Sequence, residues 1–275
     1  MELDHYLHSL FTFIDQSPTA FHVAANAASA LEQAGFRRLR ESDPWQGLAA
    51  GGYFVLRNDA SLIAFSWPGE TPQTRPLRMA GAHTDSPGLR VKPHPMQLHQ
   101  GCLQLGVEVY GGALLAPWFD RNLSLAGRVN WCGPEGALRS SLLDCRRALA
   151  TIPSLAIHLD REANNGRALN KQTDLVPLLG LSSENAPPLF TDWLKSELLA
   201  QFPSLPVEAV LDFDLFFYDT QSLSRIGLNG ELITGSRLDN QLSCHALVQG
   251  LIQAKDRQPS LVVLNDHEEV GSVSS

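Results

Sequence analysis

The 275-residue chain has no Cys-x-x-Cys pair, no block of lysine and arginine, and no apolar run near the ~20 residues needed to span a bilayer. Each absence narrows the field. The four cysteines, Cys102, Cys132, Cys145 and Cys244, are scattered, which argues against a thiolate zinc knuckle and reads as reduced thiols in a core. Without a basic block, nucleic acid and anionic membrane surfaces are poor partners, and 29 acidic against 21 basic residues give a mildly acidic surface. The N-terminus carries Glu2, Asp4 and Asp15 and no basic stretch, unlike a secretory signal. These absences lead us to expect a soluble, cytoplasmic protein. With 44% hydrophobic and 18% charged residues, the composition is ordinary for one large globular domain or two medium ones.

The pattern that is present changes period along the chain. Leu3, Leu7, Leu10, Phe11 and Ile14 recur at helical spacing. Ser17 followed by Pro18 predicts a helix restart, with serine as cap and proline in the first turn, and Gly35 predicts its end. GGYFVL and SLIAFSW then read as a hairpin joined by Arg57-Asn58-Asp59-Ala60. A proline-rich loop from Pro68 to Pro76 leads to LRMAGAHTDS, expected to be a buried strand ending in polar residues. From about residue 94 to 230, short apolar stretches (LQLGVEVY, AGRVNW, LAIHLD, LDFDLFFYD) alternate with turn-forming clusters, with one helical patch at FTDWLKSELLAQF. This predicts a β-rich insert. After it, GSRLDNQLSCHALVQGLIQAK reads as a helix with Leu238, Leu242, Leu247 and Leu251 toward one face, and LVVLND as a buried strand. The expected fold is α/β: a sheet domain made of residues 1–93 and 231–275, interrupted by residues 94–230.

Three clusters carry residues capable of chemistry. His83 and Asp85 lie two apart at a predicted strand end, so period two puts them on one face. A neutral imidazole is a good zinc ligand, and a nearby carboxylate can hold its tautomer; alone, however, H-x-D more often describes a hydrogen-bonded loop histidine. Asp239, near a predicted helix start, suits a cap as well as a metal-bridging carboxylate. Asp266-His267-Glu268-Glu269 follow a predicted core strand, where ionisable groups are costly to bury unless paired or metal-bound. One glutamate could ligate a metal while the other takes a proton from water, and a solvated acidic turn is the competing reading. Cysteine is absent from all three clusters, which favours a hydrolytic site over a structural one.

At these residues the sequence resembles the M18 metallopeptidases, the aspartyl aminopeptidases and their bacterial relatives. Six motifs carry the resemblance in order: Ser17-Pro18-Thr19-Ala20-Phe21-His22; Gly81-Ala82-His83-Thr84-Asp85-Ser86-Pro87 with Leu89-Arg90-Val91-Lys92; Trp118-Phe119-Asp120-Arg121 with Leu125-Ala126-Gly127-Arg128; Ile152-Pro153 with Leu155-Ala156-Ile157-His158-Leu159; Arg237-Leu238-Asp239-Asn240; and Glu268-Glu269-Val270-Gly271-Ser272. The resemblance covers essentially the whole chain. It implies a zinc-metallopeptidase sheet domain with an inserted β-rich dimerisation domain, assembled into homo-oligomers, dodecamers in known members. It implies an aminopeptidase acting on the N-terminal residue of peptides, with Asp or Glu preference suggested by the family name alone. For the site it implies two zinc ions, His83 on one, Asp239 bridging both, Glu269 on the other, Glu268 as general base and Asp85 supporting His83. It also links His158, from the insert, to the active site of a neighbouring subunit, as a catalytic group or zinc ligand. His22, His94, His99 and His267 stay structural. Family members continue past the Glu-Glu pair, so the resemblance further implies a truncated chain, with a carboxylate ligand and a C-terminal histidine beyond residue 275. Two rival readings follow: an incomplete fragment that acts only by assembly through its insert, and another zinc hydrolase of related fold, a carboxypeptidase or deacylase.

Overall fold

The computed structural model describes residues 3–67, 76–184, 186–255 and 257–271. Residues 68–75 of the proline-rich loop expected from Pro68 to Pro76, and Ser272 of the Glu-Glu motif, lie outside the described residues. The chain folds into two compact units, one formed by Met1–Ser86 with Ser222–Ser275, the other by Pro87–Gln221. These divisions fall earlier than the sequence suggests. Pro93 looks like a boundary but sits inside a long strand, and the turn-rich stretch after 221 forms a small hairpin of the first unit.

The first unit begins with α1 (Leu3–Asp15) and α2 (Ala20–Gln33). The start of α2 is a correction: its cap is Thr19, two residues beyond the expected Ser17. The Ser17 carbonyl accepts a hydrogen bond from Gln241 Nε2 at 2.8 Å, and its hydroxyl accepts one from Asn26. The chain is thus tied down between the helices rather than entering the second one at once. Gly35 does end α2, at φ 77, with the amides of Gly35 and Phe36 turning back to the carbonyls of Glu32 and Leu31. After the short β1 (Arg37–Arg38), β2 (Gly51–Arg57) and β3 (Ser61–Trp67) pair antiparallel from Arg57↔Ser61 to Gly51↔Trp67. Asn58 and Asp59 both take positive φ, 53 and 59, as a tight hairpin with matching twist requires. Then comes β4 (Arg78–His83).

The second unit is a six-stranded antiparallel sheet built on β5 (Gly88–His99), β6 (Cys102–Tyr110), β7 (Leu123–Cys132), β8 (Leu138–Asp144), β9 (Leu178–Leu181) and β10 (Ala209–Asp219), in the order β8-β7-β10-β5-β6-β9. Pro93 and Pro95 cannot donate to a ladder, and the β5–β6 register slips between Val91 and Met96. Gly127 allows β7 and β10 to approach: a Cβ there would come within 2.1 Å of the Asp214 carbonyl oxygen. Helix α3 (Phe190–Gln201) seats Phe190, Leu194 and Leu198 in a core with Trp131, Leu105, Leu125 and Leu215. One expected strand fails. LAIHLD, which contains His158, forms turns closed by amide bonds from Leu159 and Asp160 to the Ala156 carbonyl, with Leu155, Ile157, His158 and Leu159 exposed. Arg167, bonded to Asp160 and Asp174, ties this turn-rich stretch together.

The chain returns to the first unit through β11 (Ser224–Ile226), β12 (Leu232–Thr234), α4 (Leu238–Ala254) and β13 (Ser260–Asn265). The first sheet runs β1-β2-β3-β13-β4. Leu62, Ala64, Val262 and Leu264 alternate onto the face packed against α1, α2 and α4. The expected leucine face of α4 holds in part: Leu251 is buried and Leu238 and Leu247 pack against the core, but Leu242 is 40% exposed, and Gln241, Cys244, His245 and Val248 fill the rest of the buried stripe. Each of the three polar members finds a partner: the Ser17 carbonyl, the His83 carbonyl and the Ser9 hydroxyl. Strand β4 is also less buried than expected. It ends the described sheet, Met79 is exposed, and only Ala82 and His83 are covered.

Candidate metal centre

The site sits where β4 and β13 finish side by side. The two strands are parallel, with Asn265 opposite His83, so the loops after them emerge from the same edge. Ligands of open α/β sheets collect at the carboxyl ends of strands. Thr84, fully buried, closes the exit of β4: its amide bonds the Asn265 carbonyl at 2.7 Å, and its hydroxyl reaches the Ala60 and Asn265 carbonyls. After β13, His267 turns the chain at φ 68 into a single 3-10 turn that holds Glu268 and Glu269. Before α4, Arg237 takes φ 61, and Asp239 and Asn240 are non-helical, so the regular helix starts at Gln241 and Asp239 stands clear of it. The Asp239 carbonyl accepts a bond from Ser86 Oγ at 3.1 Å, which ties this turn to the loop after β4.

The five site residues expected in the sheet domain come together. His83 Nδ1 lies 3.0 Å from the Asp85 backbone carbonyl and 3.4 Å from its carboxylate. A carbonyl only accepts, so Nδ1 carries the proton and Nε2 presents a lone pair. That lone pair faces carboxylates, Asp239 Oδ1 at 3.3 Å and Glu268 Oε2 at 3.8 Å. His83, Glu268 and Glu269 each offer a ligand atom within 4.8 Å of one another. Asp239 approaches His83 but is not part of that tighter group, and its side chain is largely exposed. Asp85 has a different task from the one its spacing suggests. Strand β4 ends at His83, and the buried Asp85 carboxylate accepts the backbone amides of Glu268 (3.3 Å) and Glu269 (3.1 Å). It therefore supports His83 mainly through its carbonyl and fixes the Glu-Glu turn with its carboxylate.

Burial raises the Glu269 carboxyl above its ordinary value; His83 opposes the shift, while Asp85, Glu268 and Asp239 reinforce it. An imidazole lone pair and several carboxylates converging without a compensating cation repel one another, and a divalent ion relieves that repulsion. The nitrogen and oxygen donors, with no thiolate, suit zinc in a hydrolytic role. The residues present therefore fit the metal. His158 lies in the other unit, on an exposed turn.

The sequence reading did not single out Cys244, Gln241 or Ser86. Cys244 donates to the His83 carbonyl at 3.0 Å, and burial first, then the charge of Asp85, pushes its thiol up to about 12. The signal available was Cys244 falling on the helix that starts at the Asp239 turn, and periodicity alone placed leucines there instead.

Comparison with known proteins adds a family. The sequence profile described as "Aminopeptidase I zinc metalloprotease (M18)" matches residues 13–275. A probable M18 family aminopeptidase 2 of Azotobacter vinelandii is 51% identical over 97% of the chain, which spans 62% of that relative. One from Pseudomonas putida KT2440 is likewise 51% identical, with the chain again spanning 62% of it. The fold superimposes on the cryo-EM structure of the Ape4 and Nbr1 complex with a TM-score of 0.91 and 33% identity, covering 98% of the chain and 56% of that protein. It also matches the Saccharomyces mApe1 dodecamer with a TM-score of 0.79 and 25% identity, covering 97% of the chain and 61% of that protein.

Proposed function

The chain belongs to the M18 family of zinc metalloproteases, and on that premise we propose that it carries the metal-binding face of an aminopeptidase that removes N-terminal residues from peptides. The observation that carries this reading is the His83 lone pair pointing among the carboxylates of Asp239, Glu268 and Glu269 at the ends of β4 and β13. His83 Nε2, Asp239 and Glu269 are the groups that would hold zinc. Bound zinc lowers the pKa of a water toward ~7 and draws charge from a carbonyl oxygen.

The remaining steps belong to the protein. Glu268, exposed beside the cluster, takes the proton of the attacking water and returns it to the leaving amine. Asp85 holds the Glu268 and Glu269 amides and, through its carbonyl, the proton on His83 Nδ1, so the base and the ligand move as one piece. Acidic groups around the site suit the ammonium of a free N-terminus. Preference for Asp or Glu as the released residue follows the resemblance to aspartyl aminopeptidases. Assembly as a homo-oligomer through the second unit, with His158 serving a neighbouring subunit, is supported by the mApe1 dodecamer and by the exposed Leu155, Ile157 and Leu159 around His158.

A substrate panel tests the reading. Release of free N-terminal amino acids by the zinc-loaded protein is expected. Trimming from the C-terminus, or deacylation without aminopeptidase activity, would replace it with another hydrolase.

A further inference from the structure

We propose that Cys244 is a positioning residue for His83, its thiol acting as the hydrogen-bond donor that fixes the backbone from which the ligand imidazole projects. The proposal rests on His83 serving as a metal ligand. Its starting point is the alternation of a strand. The Thr84 amide bonds the Asn265 carbonyl across to β13, so the amide and carbonyl of His83 face the opposite way, away from β13. No strand flanks β4 on that side among the described residues. The His83 carbonyl is buried and needs a donor from elsewhere. Cys244 supplies it from α4, with Sγ 3.0 Å from the carbonyl oxygen.

The chemistry of the group agrees. The thiol is fully buried, and the carbonyl oxygen that it faces can only accept, so the S–H is the donor of this bond. Helix α4 is itself fixed by Gln241 to the Ser17 carbonyl and by His245 to Ser9, on the same buried stripe. His83 is consequently held at two points, by Asp85 at Nδ1 and by Cys244 at the carbonyl, which leaves Nε2 free to face the carboxylates. Aiming an imidazole at a metal requires its backbone to be placed as well as its ring, and losing a partner that orients a ligand typically costs about 10–100-fold in metal affinity.

The test compares Cys244→Ser, which keeps a donor, with Cys244→Ala, which removes it. Zinc affinity of the chain is read by competition with a chromogenic chelator. Cys244→Ala is expected to weaken binding roughly tenfold, and Cys244→Ser to stay near wild type. The imidazole nitrogen spectrum of the metal-free chain is read alongside. Wild type and Cys244→Ser should show His83 as one tautomer, protonated at Nδ1, and Cys244→Ala a mixture. Folded Cys244→Ala with unchanged affinity and a single tautomer overturns the proposal. So does Cys244→Ser failing as badly as Cys244→Ala, which would make the position one of packing only. If wild type binds no zinc, the metal reading falls, and the tautomer comparison still decides the role of Cys244. If Cys244→Ala does not fold, the S–H stretching band of wild type decides: a component red-shifted by hydrogen bonding supports the donor, and four unshifted thiols refute it.

Discussion

The acidic cluster at the ends of β4 and β13 differs from the paired carboxylates of the antiparallel unit. In the antiparallel unit, acidic groups meet guanidinium: Asp214 with Arg90, Glu197 with Arg147, Asp160 and Asp174 with Arg167, and Asp144 with Arg146 and the Tyr218 hydroxyl. At the ends of β4 and β13, Asp239 and Glu268 face the His83 imidazole and form no ion pair with a lysine or arginine among the described residues, and Glu269 stands beside them with a raised pKa. One arrangement is neutralised within the chain, as expected of a scaffold. The other is left short of positive charge, as expected of a site whose cation comes from outside.

The most decisive way to sharpen this contrast is to separate the two glutamates in the zinc-loaded protein, on the proposed aminopeptidase reaction. Glu268→Gln should retain zinc and lose roughly 10²–10⁴-fold in turnover, whereas Glu269→Gln should lose zinc. Near-normal turnover in Glu268→Gln would move the base elsewhere, and the mutual distances alone do not distinguish the two, since both reach His83 within the same 4.8 Å group.

Acid titration probes a buried group of the first unit outside the cluster. Burial lowers the His245 pKa from 6.5 to about 4, so its folded value lies below its unfolded one. The stability it contributes is complete above about pH 6.5 and is lost as pH falls toward 4, by up to about 3 kcal/mol. His245→Gln should flatten that part of a pH–stability curve measured by chemical denaturation. Glu269 has the opposite sign: its folded pKa is raised, so the metal-free chain is favoured at low pH and loses stability as pH rises through that value. Zinc should remove this loss, and an unchanged slope with and without zinc would break the comparison.

In the other unit, Tyr218→Phe takes a donor from buried Asp144 and should cost about 1–3 kcal/mol in denaturant unfolding, with zinc binding unaffected. A fall in zinc affinity would show that the neutralised scaffold and the site are not independent. The smallest effect belongs to the exposed Arg57–Glu41 pair at the β2–β3 turn, where Arg57→Ala should change stability by about 0.5 kcal/mol or less.

Local signals in the sequence were reliable where local chemistry decides the outcome. Asn58 and Asp59 tolerate positive φ, and the hairpin forms at that point; Gly35 ends α2; FTDWLKSELLAQF is α3. They misled where a distant partner decides. Periodicity puts Leu238, Leu242, Leu247 and Leu251 on the inner face of α4, yet Leu242 is exposed, and Gln241, Cys244 and His245 are inside because Ser17, His83 and Ser9 meet them there. LAIHLD has strand-like residues, but the turn-rich sequence after it and the Arg167 bonds hold it as turns. At the site, the predicted strand exits and helix start drew attention to His83, Asp239, Glu268 and Glu269, but each pattern alone also fitted a loop histidine, a cap or a solvated turn, and the set was legible through the resemblance to the M18 family. Asp85 was legible as a residue, but its attachment to the Glu-Glu amides was not, since that contact joins segments 183 and 184 residues apart.

The central claim, that an external cation completes the acid-rich cluster, is tested most directly by zinc bound per chain after reconstitution, measured by elemental analysis on wild type, His83→Ala and Glu269→Gln. Stoichiometric zinc on wild type that both substitutions abolish or sharply reduce is the predicted result. No zinc on wild type, or zinc that survives both substitutions, would contradict it.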